Sequence, residues 1–467
     1  MKNILLLIVV VVQLQSPILL AQTDSPNIVL IFADDLGYGD LGVFGNPEIK
    51  TPHLDQLAQE GQKWTHFYVA DPVCTPSRAG LLTGRYPIRS GMTSKKRAVL
   101  FPDSSKGLPH SETTIAELVK TVGYTTAMIG KWHLGHLPDY LPMQHGFDSY
   151  YGIPYSNDMD ANKKGPSAYK EGRNNPFFQP DYRDYNVPLM QNEKIIERPV
   201  NQSTITQRYT DQAISFIEEN KEKPFFLYLA HSMPHIPLFV PEDIDIKAYS
   251  SLYAAVIHSI DSSVGKIAEA LKLQGIANET LLIFTSDNGP WLSYTTHGGS
   301  AGPLRAGKGT TFEGGQRVPT VFWGPGIVTP KVVRDMGATL DLLPTVCELT
   351  GVSVPKDLKL DGSSLVNTLT KGEKSSREDF YYWAFGELHA YRKGLWKLHL
   401  KQRAPVNYDN AFILETPELY NLRSDIGERY DVAAKNTALV GAMKNDIAKH
   451  LEGMKDTLPD QLHWRIK

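Results

Sequence analysis

Short apolar runs of strand length alternate with helical patterns along the chain. The runs are rich in β-branched and aromatic residues and cover residues 27–33, 125–129, 224–230 and 281–285. A short continuous apolar run is typical of a parallel strand that is buried on both faces. The helical patterns between them cover residues 51–61, 115–122 and 253–271. Alternating strands and helices predict an α/β fold with helices on both faces of the sheet.

The C-terminal part of the chain has a different pattern. It follows a polar stretch, residues 371–379, and contains three further apolar runs at residues 380–385, 390–392 and 396–400. A Lys-Gly pair between the last two runs predicts a hairpin, and a final helix is predicted over residues 438–451. We therefore predict a large first domain, residues 24–372, and a small second domain, residues 373–467, with an antiparallel sheet and a helix.

The N-terminus resembles neither domain. Lys2 precedes two short apolar runs, which predict a secretory signal peptide over residues 1–21 with cleavage after Ala21. The alternative is a retained membrane anchor, but polar residues and a proline at positions 13–17 interrupt the apolar stretch. We expect a secreted or periplasmic protein without a stable membrane anchor.

Charge and cysteine content exclude two classes of protein. The formal net charge of −3 over 467 residues argues against a nucleic-acid partner, which selects for basic proteins. Two cysteines are too few for a disulfide scaffold. A bridge between Cys74 and Cys347 is the simple alternative, but Cys347 lies in a helical pattern and Cys74 in a loop context. We therefore expect the two cysteines to differ in role.

Each predicted strand of the large sheet ends in reactive polar residues. In chain order these are Asp34 and Asp35, Lys131 and His133, His231 and His235, and Asp287 and Asn288. Any one of them alone is as well explained by a solvated loop or a helix cap. Because ligands bind beyond the carboxyl ends of parallel strands, four such endings together predict a functional site.

The donor atoms at these strand ends indicate the kind of metal. The three aspartates and the amide of Asn288 offer oxygen, which suits calcium or magnesium better than zinc. The histidines are then available for proton transfer and anion binding. A metal at this edge polarises an oxygen of an anionic substrate.

The most specific motif begins at Cys74. It reads Cys-Thr-Pro-Ser-Arg up to Arg78 and continues to Leu-Thr-Gly-Arg at residues 82–85. It resembles the sulfatase signature that formylglycine-generating enzymes read. Further matching motifs lie at residues 33–37, 130–135, 286–289, 307–315 and 418–422. From Asn27 to about Ala434 the chain is similar to type I sulfatases of the alkaline phosphatase superfamily, in particular arylsulfatase A and galactosamine-sulfatase relatives.

This resemblance implies a fold and a mechanism. The fold is a large mixed, mainly parallel, alkaline-phosphatase-like sheet flanked by helices, with the catalytic domain over residues 24–372. A formylglycine-generating or anaerobic sulfatase-maturating enzyme oxidises Cys74 to formylglycine, which hydrates to a geminal diol. One hydroxyl attacks sulfur and displaces the alcohol, and the second, deprotonated by His133, expels sulfate.

The resemblance also assigns roles to the other site residues. The implied metal is calcium rather than magnesium, and its ligands are Asp34, Asp35, Asp287, Asn288 and an oxygen of the group made from Cys74. Arg78 and Lys131 anchor the diol. Lys131, Lys308 and His235 bind the sulfate group, and His235 protonates the leaving alcohol.

The long segment 152–200 bears on the substrate. It is predicted to be irregular, and its aromatic and basic residues could form a wall that contacts sugar rings and further anionic groups. The alternative is that the segment only covers the edge of the sheet. Export and this wall predict a sulfated carbohydrate substrate, such as fragments of glycosaminoglycan or of the algal polysaccharides ulvan and carrageenan.

Two other functions are compatible with parts of the sequence. One is a phosphodiester or phosphonate monoester hydrolase of the same superfamily, some of which use a Cys-x-Pro-x-Arg nucleophile. The other is a non-catalytic protein that binds sulfated glycans. The predicted signal peptide and the set of lysines and histidines favour a sulfatase over the first alternative. The complete set of catalytic residues argues against the second.

Overall fold

The computed structural model describes residues 25–402 and 412–466. Ten strands of this part of the chain form one large sheet: β1 (Asn27–Ala33), β2 (Gln62–Tyr68), β3 (Thr125–Gly130), β4 (Ser149–Gly152), β5 (Leu189–Gln191), β6 (Lys194–Glu197), β7 (Phe225–Ala230), β8 (Thr280–Ser286), β9 (Arg317–Trp323) and β10 (Lys331–Ala338). Their spatial order is β10-β2-β9-β8-β1-β7-β3-β4-β5-β6. The block from β8 to β4 is parallel, and both flanks contain antiparallel pairs.

The four strands predicted from the sequence are the four adjacent strands at the centre of this sheet. They are β8, β1, β7 and β3, and every neighbouring pair among them is parallel. Side chains of β1 alternate between two buried hydrophobic clusters, with Val29 in one and Leu30 in the other. Successive residues of a strand point to opposite faces, so a continuous apolar run is required where both faces are covered. The predicted fold class is confirmed.

Helices cover both faces of the large sheet and one face of the small one. They are α1 (Pro52–Glu60), α2 (Cys74–Thr83), α3 (Pro87–Ser90), α4 (Ile115–Lys120), α5 (Lys164–Gly172), α6 (Ile205–Asn220), α7 (Leu252–Leu273), α8 (Glu313–Gln316), α9 (Leu342–Thr350), α10 (Val366–Lys371) and α11 (Thr437–Glu452). The three predicted helical patterns correspond to α1, α4 and α7. Pro52 is the first residue of α1, where a backbone N–H would have no partner within the helix, so the missing N–H of proline costs nothing there.

Two predictions of local structure are wrong. The helical pattern over residues 115–122 ends early, because α4 stops at Lys120 and leaves Val122 exposed. The segment 152–200 is not irregular throughout, since it contains α5 and the antiparallel pair of β5 and β6. Short polar elements such as these carry little apolar periodicity, which is the signal that sequence reasoning uses.

The small antiparallel sheet follows in the chain. Its strands are β11 (Asp379–Ala384), β12 (Glu387–Lys393), β13 (Trp396–Gln402) and β14 (Phe412–Asn421). The predicted hairpin lies between β12 and β13, where Lys393 pairs with Trp396. Met443 and Ile447 of α11 are buried against this sheet. The small sheet and its helix therefore share a hydrophobic core.

The predicted signal peptide, residues 1–21, lies outside the described residues. Within the described ranges, no helix combines the length and the apolar composition that crossing a bilayer requires.

Candidate active site

The polar strand-end residues meet at one edge of the large sheet. The backbone hydrogen bonding of the parallel strands continues past their ends, because the Lys131 N–H donates to Ala230 O at 2.8 Å and the Asp287 N–H donates to Ala33 O at 3.0 Å. The Asp34 N–H reaches across to the loop after β7 in the same way. The side chains that follow four neighbouring strands are thereby brought to a common place, as the sequence predicts.

Cys74 is the first residue of α2 and lies in the same place. Every residue of α2 is buried, and the helix ends at Gly84, whose φ of 65° is left-handed. The Cys74 thiol lies 3.5 Å from Asp34 Oδ1 and 3.4 Å from Lys308 Nζ. Burial raises the pKa of this thiol well above its ordinary value. The unmodified thiol is therefore a poor nucleophile at neutral pH.

The two cysteines occupy different surroundings. Both are free and buried. Cys347 lies in α9 and packs into the hydrophobic cluster on one face of the large sheet. Cys74 instead has charged neighbours, so the two cysteines lie in different surroundings, and the alternative of a Cys74–Cys347 bridge is not what the structure shows.

Arg78 lies one turn after Cys74 on α2 and is fully buried. Its Nε and Nη2 donate to Asp287 Oδ2 at 3.1 and 2.8 Å, and its Nη1 donates to the carbonyl oxygen of Lys131 at 2.8 Å. The guanidinium also lies over the ring of Phe32, 5.4 Å from its centroid. Arg78 thus links α2 to the ends of three strands.

Two lysines bring positive charge into the site. Lys131 Nζ lies 2.5 Å from Asp34 Oδ2, and Lys308 Nζ lies 2.6 Å from Asp35 Oδ1. All four of these side chains are nearly or fully buried. Buried charges need partners of this kind. Lys308 Nζ also lies 3.4 Å from the Cys74 thiol.

The carboxyl groups of the site have pKa values that differ from each other. Burial alone would raise the pKa of Asp34, but nearby cations, Lys131 above all, lower it below the ordinary value. Burial, only partly offset by the ammonium group of Lys308, raises the pKa of Asp35 to about 7. Burial and the charge of Asp34 raise the pKa of Asp287. The site therefore holds more carboxylate charge than its own cations stabilise.

The same group of residues fits a hard divalent cation. Four side chains each bring one potential ligand atom within 4.8 Å of the others: Asp34, Asp35, Cys74 and His235. Asn288 donates its amide N–H to Asp35 Oδ1 at 2.7 Å, and its buried Oδ1 accepts no hydrogen bond. A buried acceptor without a donor is costly unless a cation satisfies it. The oxygen donors and the excess carboxylate charge agree with this assignment.

His133 has the surroundings of a neutral histidine. Its Nε2 lies 2.9 Å from the carbonyl oxygen of Leu100, and its buried Nδ1 has no hydrogen-bond partner. Because a carbonyl only accepts, the proton is on Nε2 and the lone pair is on Nδ1. Burial and the charge of Lys131 lower the pKa of His133 well below its ordinary value.

The two histidines after β7 are separated by the fold. His235 Nε2 lies 3.6 Å from Asp35 Oδ2, within the site. His231 instead accepts or donates a hydrogen bond with Ser263 Oγ of α7 at 3.2 Å, in the core. Only His235 joins the candidate site. Burial and the charge of Lys308 lower the pKa of His235.

The family model for sulfatases matches residues 26–352. The chain belongs to the sulfatase family. It is 36% identical over 465 residues to N-acetylgalactosamine-6-sulfatase of Mus musculus, which covers 93% of this chain and 87% of the relative. It is 38% identical over 437 residues to arylsulfatase A of Homo sapiens, covering 88% and 84%. The predicted resemblance is confirmed, and the protein is a sulfuric ester hydrolase.

A solved structure agrees over almost the whole sulfatase chain. The crystal structure of Ps i-CgsB in complex with k-i-k-neocarrahexaose has a TM-score of 0.77 and 33% identity to it, and the match covers 95% of each chain. The small sheet is therefore inside the similar region, although the family model ends before it.

Sequence reasoning missed one polar residue of the sulfatase site. Ser156 Oγ accepts from Lys131 Nζ at 3.1 Å and lies 3.4 Å from His235 Nε2. It follows the short strand β4, which has no marked apolar run and was not predicted. Polar site residues follow the ends of the neighbouring strands, so Ser156 could have been predicted in the same way if β4 had been recognised in the sequence.

An aromatic rim beside the site comes from residues that the sequence analysis did not single out. Trp291 lies 4.4 Å below Lys308 Nζ and 5.4 Å from the ring of His235, and Tyr294 packs against it edge-on at 4.7 Å. Both rings are half-buried. From the predicted wall over residues 152–200, Tyr169 is buried behind Tyr294 at 5.6 Å. Phe177 of the same segment is exposed, and the predicted wall stays a prediction.

Proposed function

We propose that this sulfatase removes sulfate from sulfated carbohydrates, with Cys74 oxidised to formylglycine and calcium bound beside it. One observation carries the proposal: the Cys74 side chain lies in contact with both Asp34 and Lys308 in a buried cluster of carboxylates and cations. A cysteine buried only for packing has apolar neighbours, as Cys347 does.

The modified residue and the metal supply the chemistry that the chain lacks. The hydrated aldehyde supplies an oxygen nucleophile, and the cation supplies a Lewis acid. The chain positions both groups. Asp34, Asp35, Asp287 and the free Oδ1 of Asn288 would hold the cation, and Arg78, bound to Asp287, would stabilise negative charge at position 74.

We assign binding of the sulfate group to the two lysines of the site. Lys131 and Lys308 are each bonded to a different aspartate of the site. Preorganised charges in a buried site stabilise the charge that develops in the transition state without reorganisation. His235, between Asp35 and Ser156, completes this set. Its pKa is low in the free enzyme, and a bound sulfate group beside it would raise that pKa, so that the protonated ring could donate to the leaving alcohol.

His133 would act as the general base. A base must be neutral and must present a lone pair, and both conditions follow from the contacts of His133. Its low pKa keeps the ring uncharged at neutral pH, and donation of the Nε2 hydrogen to Leu100 leaves Nδ1 free.

The carbohydrate part of the proposal rests on the relatives and on the rim. One relative is named for N-acetylgalactosamine-6-sulfate, and one similar structure contains a carrageenan oligosaccharide. Half-buried Trp291 and Tyr294 offer aromatic surface next to the sulfate-binding cations, which suits a sugar ring. The predicted signal peptide, residues 1–21, would bring the enzyme to secreted or periplasmic glycosaminoglycan or algal polysaccharide.

The test begins with protein coexpressed with a formylglycine-generating or anaerobic maturating enzyme. Mass spectrometry of the peptide that contains Cys74 should show the aldehyde, and release of sulfate should be measured on a panel of sulfated oligosaccharides, nitrophenyl sulfate and a nitrophenyl phosphodiester. We expect turnover of at least one saccharide to exceed that of both nitrophenyl esters. Preference for the phosphodiester would replace the proposal by the phosphohydrolase alternative.

A further inference from the structure

A second buried group of charges lies between the small sheet and the loop that carries Lys308. This group, here called the Glu428 cluster, has four fully buried members: Glu313, Lys397, His399 and Glu428. The loop, residues 305–314, joins the rim to β9 and is here called the Lys308 loop. None of the four members contacts the thiol or the carboxylates of the active site in the hydrogen bonds of the described residues.

Glu428 contacts the base of the Lys308 loop from both ends. Its Oε2 accepts the backbone N–H of Glu313 at 2.7 Å, and its carbonyl oxygen accepts from Arg305 Nη1 at 2.5 Å. The two ends are joined to each other, because the Gly314 N–H donates to the carbonyl oxygen of Arg305 at 2.9 Å. Glu428, in the segment that follows β14, thus binds both ends of the loop.

The small sheet fixes Glu428 in turn. Lys397 Nζ and His399 Nε2, both on β13, lie 3.0 and 2.8 Å from Glu428 Oε1. Glu428 has a φ of 50°, a left-handed conformation that is unfavourable for a glutamate. Surrounding contacts must outweigh the cost of this conformation, which shows that they determine the position of Glu428 strongly.

The tip of the Lys308 loop is bonded to two other segments of the chain. The Lys308 N–H donates to Pro290 O and the Gly309 N–H donates to Pro72 O, both at 2.9 Å. Pro72 lies two residues before Cys74. Because Lys308 lies between the two ends of this short loop, we expect a shift of the loop base to change the position of Lys308 relative to Cys74. A displacement of about 1 Å at a reacting centre is enough to reduce catalysis strongly.

We propose that Glu428 is a positioning residue for Lys308, so that the small sheet sets the sulfate-binding geometry of the active site. The inference rests on the proposed role of Lys308 in binding the sulfate group. It adds a residue that touches neither substrate nor metal and acts only through the loop.

A double-mutant cycle tests this coupling. Glu428→Gln keeps the shape of the side chain but removes its charge. We expect it to lower kcat/KM about tenfold and to raise the inhibition constant of inorganic sulfate by a similar factor, within the range of pairwise coupling. In a Lys308→Ala background the same change should alter either quantity less than about twofold, because the group through which Glu428 acts is gone.

Asp341→Asn is the matched control. Asp341 is fully buried, and its carboxylate binds Arg377 at 2.5 Å without touching the Lys308 loop. It should lower the free energy of unfolding in the same way as Glu428→Gln but leave the inhibition constant of sulfate unchanged. Arg305→Gln, at a half-buried position, loosens the loop from its other end and replaces Glu428→Gln if that variant does not fold.

The outcomes are distinct. The inference is overturned if Glu428→Gln changes kcat/KM by the same factor in the wild-type and Lys308→Ala backgrounds. It is also overturned if neither Glu428→Gln nor Arg305→Gln changes the inhibition constant of sulfate. Both results would leave the proposed function intact. If Lys308→Ala itself binds sulfate as tightly as the wild type, the proposed role of Lys308 is wrong and the inference is overturned with it.

Discussion

Two buried groups of charges in this sulfatase have similar composition but opposite electrostatics. The active site contains carboxylates whose charge is not fully stabilised, because burial raises the pKa of Asp35 to about 7. The Glu428 cluster is balanced. Burial alone would raise the pKa of Glu313, but Lys397 and neighbouring arginines lower it well below the ordinary value. Tyrosine hydroxyl groups donate to both of its oxygens at 2.7 Å.

The two groups of charges also differ in how well their buried polar atoms are hydrogen-bonded. Asn288 Oδ1 and His133 Nδ1 are buried in the active site without hydrogen bonds, whereas both carboxylate oxygens of Glu313 and of Glu428 are bonded. Unsatisfied buried groups are unfavourable for folding and are retained where a ligand will complete them. The active site thus leaves room for groups that the chain alone does not supply. In the Glu428 cluster the carboxylates are fully paired, and the buried atom without a hydrogen bond is Nδ1 of His399.

The largest expected effect is loss of the modified residue. Cys74→Ala should lower kcat by more than about a thousandfold, since covalent catalysis is lost, while the midpoint of thermal unfolding stays close to that of the wild type. Cys347→Ala is the matched control, because it removes the other free buried cysteine. It should keep full activity and cost about 1 kcal/mol of stability. Near-native turnover by Cys74→Ala would contradict the mechanism.

The next effect concerns the metal. Asp287→Ala should reduce bound calcium, measured by elemental analysis, and activity together by about a hundredfold, because one oxygen ligand and the partner of Arg78 are lost. Asp40→Asn is the control. Asp40 is also buried but accepts from Tyr253 and two backbone N–H groups, so calcium content should not change. Full activity after exhaustive chelation would rule out the site.

The third prediction concerns the balanced cluster. Glu313→Gln should lower the free energy of unfolding by about 3 kcal/mol in chemical denaturation, because Lys397 loses a buried partner. The folded pKa of Glu313 lies below its ordinary value of 4.5. Its stabilisation is therefore present above that pH and is lost as the pH falls toward the folded value. The deficit of the variant should shrink on acidification.

Glu112→Gln provides the contrast for this pH dependence. Glu112 is buried and paired with Arg85, but burial raises its pKa. Its substitution should show no such shrinkage at low pH. The prediction is contradicted if the losses in free energy of unfolding for Glu313→Gln and Glu112→Gln change in the same way on acidification.

The smallest effect is expected at the rim. Tyr294→Ala should lower kcat/KM for a sulfated oligosaccharide about fivefold and for nitrophenyl sulfate less than twofold, because aromatic contact with the sugar is lost. Phe178→Ala is the control, since Phe178 packs behind the rim against Tyr169 and His297. Equal losses on both substrates would leave a simple arylsulfatase as the better description.

The sequence predicted the active site better than its surroundings. The central strands are continuous apolar runs, and the residues after them, such as Asp34 and Lys131, follow directly from that pattern. Ser156 and Trp291 lie after short or irregular elements, so local periodicity gave no indication of them. The aromatic wall was predicted over residues 152–200, whose aromatic content is visible in the sequence. Packing buries Tyr169 of that segment and places Trp291, from another segment, at the site.

By itself, the sequence determined the central parallel strands, the motif at Cys74 and the membership of the sulfatase family. These depend on the order of residues within short segments, where periodicity and motif spacing are local properties. The resemblance had already favoured His235 over His231, but the tertiary structure alone decided that Glu428 contacts both ends of the Lys308 loop. Such contacts join residues more than a hundred positions apart. No local pattern encodes them, because they arise only when separate sheets pack together.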